Sequence, residues 1–127
     1  MIDKGLWGAA MVYPNEIESI LLRIEALHNQ LEKARTQNLH RKCSHSPPTK
    51  KELNNLRQWG IFARQFRSDE ASILESIDLI KDREDRLNVA TIFSHVSASF
   101  YATANENHEE YEARVNEYRK LVGGYRG

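Results

Sequence analysis

Nearly half of this sequence, from Ile61 through Val122, holds neither glycine nor proline. Hairpins and sheet turns draw on the free φ of one or the fixed φ of the other, so a stretch this long without either argues against a β architecture. Cysteine is almost missing. Cys43 stands alone, which excludes an internal disulfide, fits a reducing compartment and sets the expectation of a cytoplasmic protein. Net charge is missing as well: 18 basic side chains balance 18 acidic ones, and no overall field steers the chain toward nucleic acid or lipid. Glycine-rich phosphate loops and the His-Glu metalloprotease motif do not occur, so the sequence points to no cofactor.

A further absence is local. Between Arg86 and Glu106 no Asp, Glu, Lys or Arg occurs, although these residues make up 28% of the chain. A segment uncharged on every side is one that a fold surrounds. Leu87 to Ala104 is rich in Ala, Ser and Thr, with Phe93, Val96, Phe100 and Tyr101 as bulky knobs, and this describes the centre of a helical packing. From Val96 to Ala104 the apolar positions also alternate, which is the period of a half-buried strand; the missing Gly and Pro decide for helix. Asn88, His95 and the interspersed hydroxyls argue against a membrane span.

What is present reads as helices. A chain of 127 residues is the length of one domain. Residues 1–13 form an apolar arm, with Leu6, Trp7 and Met11 in a run from Leu6 to Tyr13 that lacks the basic start and small-residue cleavage site of a secretory signal. The helical bundle occupies 14–122. Its first helix starts at Asn15 and runs to about Asn38, with Ile17, Ile20, Ile24, Leu27, Leu31 and Ala34 on an a/d seam that also suits self-pairing into a homodimer. After a loop holding Pro47 and Pro48, Thr49 and Glu52 make a capping box for a second helix carrying Leu53, Leu56, Trp59, Phe62, Ala63 and Phe66. Ser68 reads as the cap of a third, with Ile73, Leu74, Ile77 and Ile80 inward. The uncharged helix follows, either after a break in the Lys81 to Arg86 charge cluster or as a direct continuation, and Asn105 or Asn107 caps a last one bearing Tyr111, Val115, Tyr118 and Val122. Gly123 and Gly124 stop it, leaving 123–127 as a tail. The expected architecture is an all-α bundle of about five helices.

Charge is sorted along the chain. From Lys33 to Arg67 nine basic side chains face Glu52 alone, a net +8, whereas from Asp69 to Glu112 eleven carboxylates face three cations, a net −8. On a helix Lys50, Arg57 and Arg64 line up, with Arg67 beside them and Trp59, Phe62 and Phe66 turned away. That stripe, with Arg41 and Lys42 in the preceding loop and Leu6, Trp7 and Met11 as an apolar anchor, is the expected contact surface for a protein partner with an acidic face. The same cations could instead track nucleic-acid phosphates. A third alternative is that the stripe is a solvated face, or that the two halves attract each other within the bundle or between subunits.

Enzyme chemistry is thinly supported. Glu75, Asp78, Asp82 and Asp85 would share one face of a continuous helix, and Asp78 with Asp82 would be the pair to hold magnesium in a metal-dependent hydrolase. His40, Cys43 and His45, with His28 upstream, fall short of the thiolate-rich four-ligand set of structural zinc. Cys43 has no base held beside it to act as a nucleophile. Some all-α ribonucleases use an Arg followed four to six residues later by His, and Arg23 with His28 and Arg35 with His40 fit that spacing; Arg35 and His40 lie in the basic half. His95 reads as a hydrogen-bonded core histidine. The sequence therefore favours a small binding module, an adaptor, inhibitor or assembly subunit, over an enzyme.

Overall fold

The computed structural model describes residues 15–125; the apolar arm with Leu6, Trp7 and Met11 lies outside the described residues. The chain is all-α, with no strand among the described residues. Four helices appear where about five were expected: α1 (Asn15–Thr36), α2 (Lys50–Asp78), α3 (Arg83–Ala104) and α4 (His108–Tyr125).

The missing boundary is at Ser68. Ser, Asp and Glu in succession favour a helix start only where something has ended the helix before them, and no Gly or Pro stands between Ile61 and Ser68. The helix therefore runs on, with Gln65 Nε2 donating to Asp69 Oδ1 at 3.0 Å across the expected break. α2 reaches 29 residues, about 43 Å at 1.5 Å per residue. Its start is as expected: Glu52 N donates to Thr49 Oγ1 at 3.1 Å and Thr49 N to Glu52 Oε1 at 3.0 Å. The break falls at 79–82 instead, where the Asp82 side chain accepts from Asp85 N at 2.9 Å and so caps α3. Arg86 ties the turn down by donating to the Ile80 carbonyl at 2.8 Å.

The seam of α1 is fully used inside the chain. Ile17, Ile20, Leu21, Ile24, Leu27, Leu31 and Ala34 are all buried, packed with Val89, Ile92, Phe93 and Val96 of α3 and Val115 and Tyr118 of α4 in one core. Nothing of it is left over for pairing with a second copy. α2 joins through an aromatic cluster: Phe66 stacks on Phe100 with ring centroids 4.1 Å apart, and Trp59 stacks on the same ring at 5.6 Å. Arg23 fastens the other half of α2 to α1 by donating to Ser76 Oγ and Ser72 Oγ at 2.9 and 2.8 Å.

Two further expectations change. The uncharged helix is surrounded on its inner side only; Leu87, Thr91, Ser94 and Tyr101 are exposed. Thr91, Ser94, Ser99 and Thr103 each donate their hydroxyl to a carbonyl of their own helix. At the other end of the chain, α4 passes through Gly123 and Gly124 to Tyr125, which is buried and donates to Asp85 Oδ1 at 3.3 Å. Burial of that ring outweighs the helix-ending tendency of the two glycines. Asn107, not Asn105, caps α4, its side chain accepting from Glu110 N at 3.1 Å.

Candidate protein-binding face and a basic cleft

α2 carries two unlike faces in its first half. One turns Trp59, Phe62 and Phe66 onto Phe100. On the other side Lys50, Leu53, Arg57, Ile61 and Arg64 fall within about 100° of arc at 3.6 residues per turn, and all five are exposed. Leu53 and Leu56, which the sequence places with Trp59, Phe62 and Phe66 on one side of this helix, stand 51% and 55% exposed. The reason is that α2 starts beside the 37–49 loop, which touches it through Glu52 and Trp59, so among the described residues no helix lies over its outer leucines.

The cations of this face are unspent. Lys50 and Arg64 make no ion pair or hydrogen bond through their side chains among the described residues, and Arg57 reaches only Asn54 Oδ1 of its own helix, at 3.1 Å. Arg41 and Lys42 are exposed in the preceding loop. The acidic half does not answer them. The ion pairs among the described residues join His45 to Glu52, His108 to Glu112, Arg114 to Glu110 and Arg119 to Glu32; none links a cation of 33–67 to a carboxylate of 69–112.

Glu52 is the fixed point of the loop beside this face. Its carboxylate accepts from Ser44 N at 2.7 Å as well as from Thr49 N, and pairs with His45 Nδ1 at 3.1 Å. These bonds favour the ionised form, the two backbone donors most, and hold its pKa at about 2.

The candidate metal sets are not assembled. The turn at 79–82 separates Asp78 from Asp82 and commits Asp82 to capping. Cys43 is exposed, His45 pairs with Glu52, and His28 is buried against Tyr118 with ring centroids 4.9 Å apart; burial lowers the His28 pKa. Among the described residues no group of three or more His, Cys, Asp or Glu could hold a metal ion. His95 accepts at Nδ1 from Arg114 at 3.2 Å and is only half-buried.

Of the two Arg and His pairs, Arg23 with His28 is structural, since Arg23 is bound to the serines of α2. Arg35 and His40 instead line a cleft of about 380 Å³ together with Asn38, Arg41, Glu106 and His108. His108 and Glu106 come from beyond α3, and sequence spacing gave no sign of them. Arg35 is held on three sides: it donates to Thr103 Oγ1 at 3.0 Å and to His108 Nδ1 at 2.7 Å, and its guanidinium lies 3.6 Å from the centre of the Tyr111 ring. Burial and the charges of Arg35 and Arg41 lower the His40 pKa.

No family model matches the chain, and no curated protein or solved structure matches it either. No helix among the described residues is long and apolar enough to cross a membrane.

Proposed function

We propose that this chain is a protein-binding module that takes up an acidic, amphipathic surface, such as a helix with carboxylates flanking a leucine stripe, on the outer face of α2. The observation that carries this reading is the mixture on that face. Leu53, Leu56 and Ile61 stand exposed among Lys50, Arg57 and Arg64, and among the described residues none of these cations pairs with a carboxylate. Exposed leucines in a row with unpaired cations suit a ligand that brings both apolar area and negative charge. A phosphate backbone would satisfy the cations and leave the leucines wet, which ranks nucleic acid second.

The test compares two double variants in capture from the source cell. Arg57→Glu with Arg64→Glu, and Leu53→Ser with Leu56→Ser, are expected to lose the same bound protein while circular dichroism keeps its helical amplitude. Loss in the charge variant alone, with nucleic acid co-purifying and affinity falling at a log-log salt slope near about −4 for four phosphates, would replace the protein partner by nucleic acid.

A further inference from the structure

Away from the α2 face, the cleft between the end of α1 and the start of α4 carries an inference of its own. We propose that it binds a phosphate monoester, with Arg35, Arg41 and His40 as the groups that hold the phosphoryl oxygens. Four of its six lining residues are Arg or His, against the single carboxylate of Glu106. Arg35 is the anchor. Its partners, a threonine hydroxyl, an imidazole and a phenol ring, are all neutral or weakly charged, and no carboxylate pairs with it among the described residues. A half-buried guanidinium held rigid by neutral neighbours keeps its charge and its remaining N–H groups for a ligand. Arg41 lies across the turn with no side-chain partner among the described residues.

The other walls favour an anion by what they withhold. α1 and α3 both end at this cleft, and carbonyls at a helix C-terminus would repel phosphate. Here they are already spent. Asn38 and Glu106 take left-handed backbones with φ of 58° and 54°, and through these turns Leu39 N bonds the Ala34 carbonyl at 3.1 Å and Asn107 N the Ala102 carbonyl at 2.8 Å. His40 Nδ1 is shielded from solvent and bonds to nothing, which leaves Nε2 as the nitrogen the ring can offer. The cleft is also larger than a bare oxyanion needs. Its volume lies within the roughly 300–1,000 Å³ of small-molecule sites, so room remains for the organic group of an ester.

Calorimetric titration of the full chain with adenosine 5′-monophosphate and, separately, inorganic phosphate at constant ionic strength tests this. The monoester is expected to saturate, and more tightly than inorganic phosphate. Arg41→Gln combined with His40→Gln should weaken it at least tenfold with the thermal midpoint retained, and the Arg41→Gln change alone should weaken it in part. Arg83→Gln, an exposed cation at the opposite end of α3, should leave it unchanged. Equal binding of the two probes, lost together in the double variant, assigns the cleft to free phosphate and keeps its residues. Saturation by neither in the millimolar range, or equal weakening by Arg83→Gln, overturns the site.

Discussion

α1 and the first half of α2 carry the same kind of seam, apolar residues three and four apart, and the fold treats them oppositely. On α1 every seam position is buried, down to Leu31, which no solvent reaches. On α2 burial begins only at Ala63 and Phe66, while Leu53 and Leu56 lie in the open. Periodicity states that a helix has an apolar side; whether that side is covered depends on what the rest of the chain can lay over it. α1 is opposed by three helices. Among the described residues, the first three turns of α2 meet the 37–49 loop and Phe100.

Matched leucine truncations probe this difference with the largest effect. Leu31→Ala should cost about 2–5 kcal/mol, as deletion of a fully enclosed leucine does. Leu53→Ala should shift stability by no more than about 0.5 kcal/mol, the range for surface changes. Urea unfolding of both variants reads the contrast directly. A cost at Leu53 close to that at Leu31 would mean that its side chain is covered in solution, and the docking face would be lost.

The loop end of α2 offers a smaller effect. Thr49→Ala removes the side chain that accepts from Glu52 N and should destabilise by about 1 kcal/mol. Glu52 adds a pH signature. Its folded pKa of about 2 lies below the ordinary glutamate value of 4.5, so its contribution is complete above pH 4.5 and is lost as the pH falls toward 2. The stability difference between the native chain and Glu52→Gln, followed by urea midpoint from pH 5 downward, should therefore shrink across that window. A difference that stays constant would show that the carboxylate is not held by Ser44 and Thr49 in solution.

The sequence disclosed the periodic parts of the molecule and missed those set by contacts between distant residues. The α1 seam, the capping box at Thr49 and the inward set of α4 follow from spacing within one helix, where geometry is local. The continuity of α2 through Ser68 is not legible locally, because a cap residue is only half of a boundary. The exposure of Leu53 and Leu56 depends on where the 37–49 loop lies, and no local pattern encodes that. Within the cleft, Arg35 and His40 were visible as a spaced pair. His108 and Glu106 join them only because α3 returns the chain to the end of α1, and Tyr111 was visible only as a core residue of α4.

Gly60 gives the finest test of the same contrast. It lies inside α2, at the centre of the side that bears Leu53, Leu56, Arg64 and Arg67, and a Cβ built on it would meet nothing within 4 Å. Glycine in a helix interior costs roughly 0.5–1 kcal/mol relative to alanine, and no neighbour in the bundle requires the missing methyl. The Gly60→Ala change should accordingly raise stability by about that amount. If a partner helix seats on this face, close approach at Gly60 is what the glycine provides, and the same alanine should weaken partner capture while the fold gains. A variant that is both more stable and fully competent for capture would place the contact elsewhere on α2, nearer Arg57 and Lys50.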